Sequence, residues 1–384
     1  MRQAVFYVLM ISMAVACKEP YNAPLNSPPA GYLVVEGFIN ASAGTTRITL
    51  TRSTKIYDSA DIVFEPNANV RVEGENNESY PLFQTTIGVY EASLPALNPG
   101  EKYRLHISTK NGSEYASDYS VVRSTPAIDS ISWTRDAEGV QTYINTHDPN
   151  NNTKYYQWKY EETWEFYSNY LSSLVYLYDA THGIPFAVDY RDETHTVDTS
   201  VYKCWKTVNS TDIRVGSSEK LSVDKIYLPL VHIDAGAEQL SHLYSINLRQ
   251  YALSHEAYLF YDRIKKNTEQ LGSLFDAQPS QLQGNIHCLN DPTETVVGFV
   301  EVSEEQQKRI FISNKDVPDW GYKTLCTLFT IDNDPDSISR HATGLTPTIP
   351  ATFRGLQILT FYAADASCID CTLRGTNKKP DFWP

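Results

Sequence analysis

The chain has 384 residues, 41% hydrophobic and 20% charged, which is enough to bury a core and to make two domains of ordinary size. Its net charge of -14 works against nucleic-acid binding, which is driven by Lys and Arg neutralising phosphates, and no basic stripe runs along it. Twenty-six Tyr and six Trp beside three Met are the balance of an exported β-protein rather than of a cytosolic helical enzyme.

The chain opens MRQAVFYVLMISMAVACKEP. Arg2 precedes an uncharged run from Ala4 to Ala16, too short to cross a bilayer as a helix, so it reads as a targeting segment. Ala14 and Ala16 suit a secretory cleavage site, which makes residues 1–16 a signal peptide and Cys17 the first residue beyond the cut. Cys17 is either a bystander at an ordinary signal-peptidase site or the lipidated first residue of a bacterial lipoprotein. The rest of the sequence favours lipidation: a diacylglycerol on the thiol and an acyl chain on the freed amine would anchor the protein stably. No second apolar run of spanning length follows, so membrane attachment is expected through Cys17. The next stretch, KEPYNAPLNSPPA, carries four prolines and no apolar face, and residues 17–31 are expected to form a tether.

From residue 32 the pattern becomes β. GYLVVEGFI, TTRITLTRS, NANVRVEG and VYEASLPAL alternate, and EKYRLHIST places Tyr103, Leu105 and Ile107 on one face after a turn at Asn98-Pro99-Gly100. Asn111-Gly112 marks a hairpin into SEYASDYSVV. A β-sandwich over 32–124 is predicted, with STPAID as the joint to a second, enlarged sandwich over 125–384. Its opening strands are SISWTRD, GVQTYINTHDPNN and KYYQWKYEETWEF, and IRVGSSEKLSV and LYSINLRQYAL are further strands. LSHEAYLFYDRIKKNTEQLG is the one long helix, over about 254–272, capped by Ser254 and ended by Gly272. The expected fold class is therefore mainly β: two immunoglobulin- or fibronectin-like sandwiches, the second carrying a helix.

Chemical motifs are sparse. Cys368-Ile369-Asp370-Cys371 has C-x-x-C spacing, but zinc would want a second pair, and a redox motif would want to open a helix. A disulfide between Cys368 and Cys371 is expected, with Cys288 and Cys326 as a second pair. Asp148 to Asn152, DPNNN, lacks the spacing of a calcium loop and reads as a turn. The histidines form no H-E-x-x-H pair, and no G-x-S-x-G elbow occurs, so no catalytic residue, metal or cofactor is expected. In YYQWKYEETWEFYSNYLSSLVYLYD, a strand would put Tyr156, Trp158 and Tyr160 on one face and Tyr155, Gln157, Lys159 and Glu161 on the other. The first face suits a core. Trp164, Tyr167 and Tyr170, past the clear alternation, are the expected partner or ligand contacts.

The Cys-start leader, VVEGFI, NPGEKYRLHI, STPAIDSISW, GSLFDAQPSQLQGNI, VVGFVEVS, KRIFI and CIDCTLRGTNKKPDFWP together resemble a Bacteroidota family of lipoproteins of unknown function, over nearly the whole mature chain. Members are often encoded beside a TonB-dependent outer-membrane receptor. Ala14 departs from the Leu of a typical lipobox. The resemblance implies an outer-membrane lipoprotein with immunoglobulin-like or fibronectin-like domains. The expected role is a non-catalytic accessory or ligand-capture partner of a TonB-dependent receptor. An envelope structural or adhesion protein is the alternative, and a hydrolase the third.

Overall fold

The computed structural model describes residues 31–54, 62–269 and 284–384; Cys17, the expected signal peptide and tether, and Gly272 lie outside them. The described chain is mainly β, with sheets that come close to closing into a barrel and two α-helices, α1 (His255–Glu269) and α2 (Pro335–His341).

The first body is built by alternation. In Asn69–Gly74 and Lys102–Ser108, Val70, Val72, Tyr103, Leu105 and Ile107 turn inward, and Tyr90 and Tyr115 join them from neighbouring strands. The strand Ser79–Thr86 pairs with Asn69–Gly74 on one side and Val89–Leu94 on the other, so it carries the sheet around the core. The hairpin expected at Asn111-Gly112 is present: the Gly112 N–H donates to the Thr109 carbonyl, with Gly112 at φ 90°.

The first body does not stop at residue 124. Ile286–Cys288 returns to pair with Glu114–Ser117, and Val297–Gly298 and Val302–Ser303 lie parallel to Leu33–Asn40. The expected division at 124/125 is corrected accordingly: a segment from far along the chain completes the first sheet. Its reason is physical, since Leu33–Asn40 would otherwise leave a row of N–H and C=O groups unpaired. The approach is close, and a Cβ on Gly298, which has φ +151°, would lie 2.4 Å from the Val35 carbonyl oxygen.

The second body faces a three-stranded sheet (Ile128–Arg135, Gly139–Thr146, Ile226–Asp234) against a five-stranded one. The latter contains Lys203–Asn209, Tyr155–Tyr167, Leu243–Ala252, Gln306–Ser313 and the short Arg214–Ser217. Tyr156, Trp158, Ile246, Leu248 and Ile312 fill the space between them with Val140 and Ile144. The buried Trp158 Nε1 donates to Gln250 Oε1 at 2.8 Å, while Gln250 Nε2 donates to the Pro126 carbonyl at 2.7 Å, tying the joint peptide to this core.

A third body has no counterpart in the expected two domains. The hairpin Leu174–Tyr178 and Pro185–Tyr190 packs with Phe329–Asp332, Leu345–Arg354, Gln357–Asp365 and α2 around Leu174, Val188, Ile331, Ile338, Ile358 and Phe361. Asp334 caps α2, accepting from the Asp336 and Ser337 N–H groups. Helix α1 is where the spacing places it. Ser254 Oγ accepts from the Ala257 N–H at 3.0 Å, and Ala257 and Phe260 pack against Phe38, Tyr251 and Phe299 between the first two bodies.

The disulfides correct another expectation. Cys204 bonds Cys371, Cys326 bonds Cys368, and Cys288 is a free thiol buried in the first core. Cys368 and Cys371 fall in two separate one-turn 3-10 segments, Ala366–Cys368 and Cys371–Leu373. The first sits beside Tyr170 and Cys326, the second in the core of the second body. The bridges close loops with sequence separations of 167 and 42 residues. Chain entropy alone makes such bridges worth about 5 and about 4 kcal/mol respectively. Non-reducing peptide mapping should recover 204–371 and 326–368 as linked peptides with Cys288 alkylatable only after unfolding. Recovery of a 368–371 loop would contradict this pairing.

Candidate functional site

The outward face of the five-stranded sheet is polar where it meets the first body. Strand alternation that sends Trp158 and Tyr160 inward sends Lys159 and Glu161 outward; Leu243–Ala252 likewise presents Asn247 and Arg249, and Gln306–Ser313 presents Gln307 and Arg309. The register sets them in rows, Lys159 opposite Arg249 opposite Gln307, and Glu161 opposite Asn247 opposite Arg309. These rows form the floor of a cleft of about 660 Å³. Its wall is the first body, through Glu36, Phe38, Arg47 and Glu91, and Phe382 from the C-terminal tail closes part of the rim.

The charges are divided unevenly. Three cations (Lys159, Arg249, Arg309) and two carboxylates (Glu161, Glu305) belong to the floor, whereas the wall has one cation (Arg47) and two carboxylates (Glu36, Glu91). Most are engaged. Arg309 Nη2 donates to Glu161 Oε1 at 2.9 Å, and Arg249 approaches the other oxygen of Glu161 at 3.9 Å. Arg47 pairs with Glu91, and Glu305 accepts from the Tyr251 hydroxyl and Gln307 Nε2. The Arg309 guanidinium also stacks on Phe382 at 3.5 Å, and Trp383 Nε1 donates to Glu165 at 3.2 Å, which seats the tail.

Lys159 stands apart. Its side chain is packed closely yet keeps part of its surface open to the cleft, with Nζ 5.8 Å from the centre of the Phe38 ring. Phe38 in turn stacks on Tyr251 with centroids 4.3 Å apart. Nζ has no hydrogen-bond or ion-pair partner among the described residues. Burial pushes its ammonium pKa down; Glu36 pulls the other way, and Arg249 and Arg47 add to the lowering.

A second cavity of about 660 Å³ lies at the joint, lined by Asp129, His147, Asp148, Ser254 and His255 among others. Here the polar groups satisfy one another. His147 Nδ1 is 2.7 Å from Asp129 Oδ2, and the Asp148 carboxylate accepts from the Asn150, Asn152 and Thr153 N–H groups, which closes DPNNN as a turn. Among the described residues, no group of three or more His, Cys, Asp or Glu is arranged to hold a metal.

The aromatic residues expected to make contacts do not form a common surface. The strand Tyr155–Tyr167 runs unbroken past the point where the alternation lapses, so Trp164, 6% exposed, joins the core of the second body. Tyr167 packs against Tyr202 and His242, and its hydroxyl donates to Glu165. Tyr170 donates to the Cys326 carbonyl beside the Cys326–Cys368 bridge. Strand alternation alone puts Lys159 and Glu161 on one face without distinguishing them from other outward residues. The available signal was three strands of one body, each carrying Lys, Arg, Glu, Asn or Gln on the alternate positions opposite a strongly apolar set.

No curated protein matches this sequence. Among solved structures, the chain is similar to a DUF4785 family protein from Legionella pneumophila at 13% identity and a TM-score of 0.18. That match covers 57% of this chain and 52% of the other, so the alignment spans about half of each. The profile of the family described as "Domain of unknown function (DUF4249)" matches residues 18–309, from the residue after Cys17 to the middle of Gln306–Ser313, and so includes Lys159, Glu161, Arg249 and Arg309 of the cleft floor. The chain belongs to the DUF4249 family of unknown function.

Proposed function

We propose that this protein is an outer-membrane-anchored lipoprotein that captures a ligand on behalf of a TonB-dependent receptor, by binding rather than by catalysis. The observation that carries the capture reading is the cleft between the first two bodies, with its polar floor and the stacked Phe38–Tyr251 pair where floor meets wall. Ligand sites of this kind are concave, lie between bodies and place a few polar groups against apolar surface. The leader, Cys17 and the Pro-rich stretch support the anchor, and the two disulfides fit an oxidising compartment. We read the first two bodies as immunoglobulin- or fibronectin-like sandwiches, the second enlarged. Facing sheets and inward alternation support that reading.

The anchor matters energetically. A tether of the 13 residues KEPYNAPLNSPPA reaches roughly 40 Å, so a receptor in the same membrane would meet the cleft at high local concentration. Weak affinity for the receptor is then sufficient. Cys17→Ala should release the protein from membranes and abolish incorporation of labelled fatty acid. Purification of the wild-type protein from detergent-solubilised outer membranes should bring a TonB-dependent receptor with it, and the Cys17→Ala protein should bring much less. Undiminished fatty-acid labelling of the variant would contradict the anchor; recovery of wild type without any receptor would contradict the partnership.

A further inference from the structure

Within the cleft, two cations stand directly opposite each other across an antiparallel pair, Lys159 against Arg249. Like charges in that position destabilise a sheet. Arg249 is relieved in part by Glu161 at 3.9 Å, but Glu161 is already engaged by Arg309 at 2.9 Å. Lys159 has no hydrogen bond or ion pair among the described residues; Glu36 acts on it only from longer range, and holding a half-buried ammonium opposite a guanidinium costs stability. A methionine there would fill similar space without that cost. The arrangement makes sense when an anion completes it.

We infer that the cleft is a carboxylate-binding site, in which Lys159, with Arg249 beside it, receives a single carboxylate of a small ligand lying along the Phe38 and Tyr251 rings. The charge distribution selects that class. The floor carries one net positive charge and the wall one net negative charge, so a second negative group would meet Glu36 and Glu91. A lone carboxylate attached to neutral or hydrogen-bond-donating atoms satisfies both sides, whereas a polyphosphate does not. The stacked Phe38–Tyr251 pair gives the remainder of the ligand an apolar edge to lie on.

This inference rests on the ligand-capture reading of the cleft and names its ligand class. Two sources share the chemistry, a peptide C-terminus and a sugar acid. The probes are therefore N-acetylglycylglycine against its amide, and glucuronate against glucose, applied to the full chain in detergent. Trace acetylation with acetic anhydride, read by peptide mass spectrometry, should label Lys159 readily and be slowed by the carboxylate of one pair but not by its neutral counterpart. The pair that protects identifies the source. Lys159→Met should weaken binding of the protecting acid by about ten- to a hundredfold, the range of a charged hydrogen bond. It should also raise the melting temperature, which a merely structural lysine would not do. Protection by neither acid, equal protection by acid and neutral analogue, or full binding by Lys159→Met would overturn the inference. A neutral ligand bound in the cleft without Lys159 would leave the capture reading standing, since receptor co-purification tests that reading without passing through this residue.

Discussion

The architecture depends on one return of the chain. After α1, residues 285–303 leave the second body and go back to the first, where the Ile39 and Ala41 N–H groups donate to the Glu301 and Ser303 carbonyls. The same segment reaches into the second body through its side chains. Glu301, 2% exposed, accepts from Arg123 Nε at 3.1 Å and from the Ser254 N–H and hydroxyl at the start of α1. Ser303 and Thr125 hydroxyls lie 3.0 Å apart, and both accept from the Ala252 N–H. A buried carboxylate is tolerated only when it is paired and hydrogen-bonded, and Glu301 has both, so loosening any one partner strands the others. Two sheets that would otherwise be joined by a single peptide at Pro126 are fixed against each other by two further covalent crossings, one into the returning segment and one out of it between Ser303 and Gln306, and by a shared polar network.

That constraint holds the cleft at a fixed width. Its floor comes from strands of the second body and its wall from Leu33–Asn40 and Gly44–Arg52 of the first, so its width is set by the joint. Phe38 shows the coupling most directly, because it stacks on Tyr251 beside α1 and faces Lys159 across the opening. With the walls held, the half-buried Lys159 ammonium keeps its place opposite Arg249 without an ion-pair partner among the described residues. Natural proteins retain such locally unfavourable charges where binding needs them.

Much of the β organisation was legible because period-2 alternation is a strong local signal. Val70 and Val72, the trio Tyr103, Leu105 and Ile107, and the inward set Tyr156 and Trp158 fall where alternation puts them, and Ser254 caps α1 as its sequence context suggests. What local pattern could not show was long-range. The pairing of Val297–Gly298 and Val302–Ser303 with Leu33–Asn40 involves four residues and a parallel register, too short to carry a periodic signature. The third body is assembled from two segments on either side of residue 300, so neither reads as a domain. Cysteine spacing misled for the same reason, since Cys368 and Cys371 are neighbours in sequence but belong to different packing clusters. The cleft was half visible: alternation puts Lys159 and Glu161 on one face, but only the register with Arg249 and Arg309 and the arrival of Phe38 turn that face into the floor of a cleft.

Native-state hydrogen exchange tests the central claim, that the returning segment makes the first two bodies one cooperative unit. The amides of Ile39, Ala41, Arg123, Ala252 and Ser254, all donors at the joint, should exchange only through the same global opening as core amides of both bodies. Exchange of these five through a lower-energy local opening, with the two cores still protected and at different levels, would show two independent bodies and contradict the account.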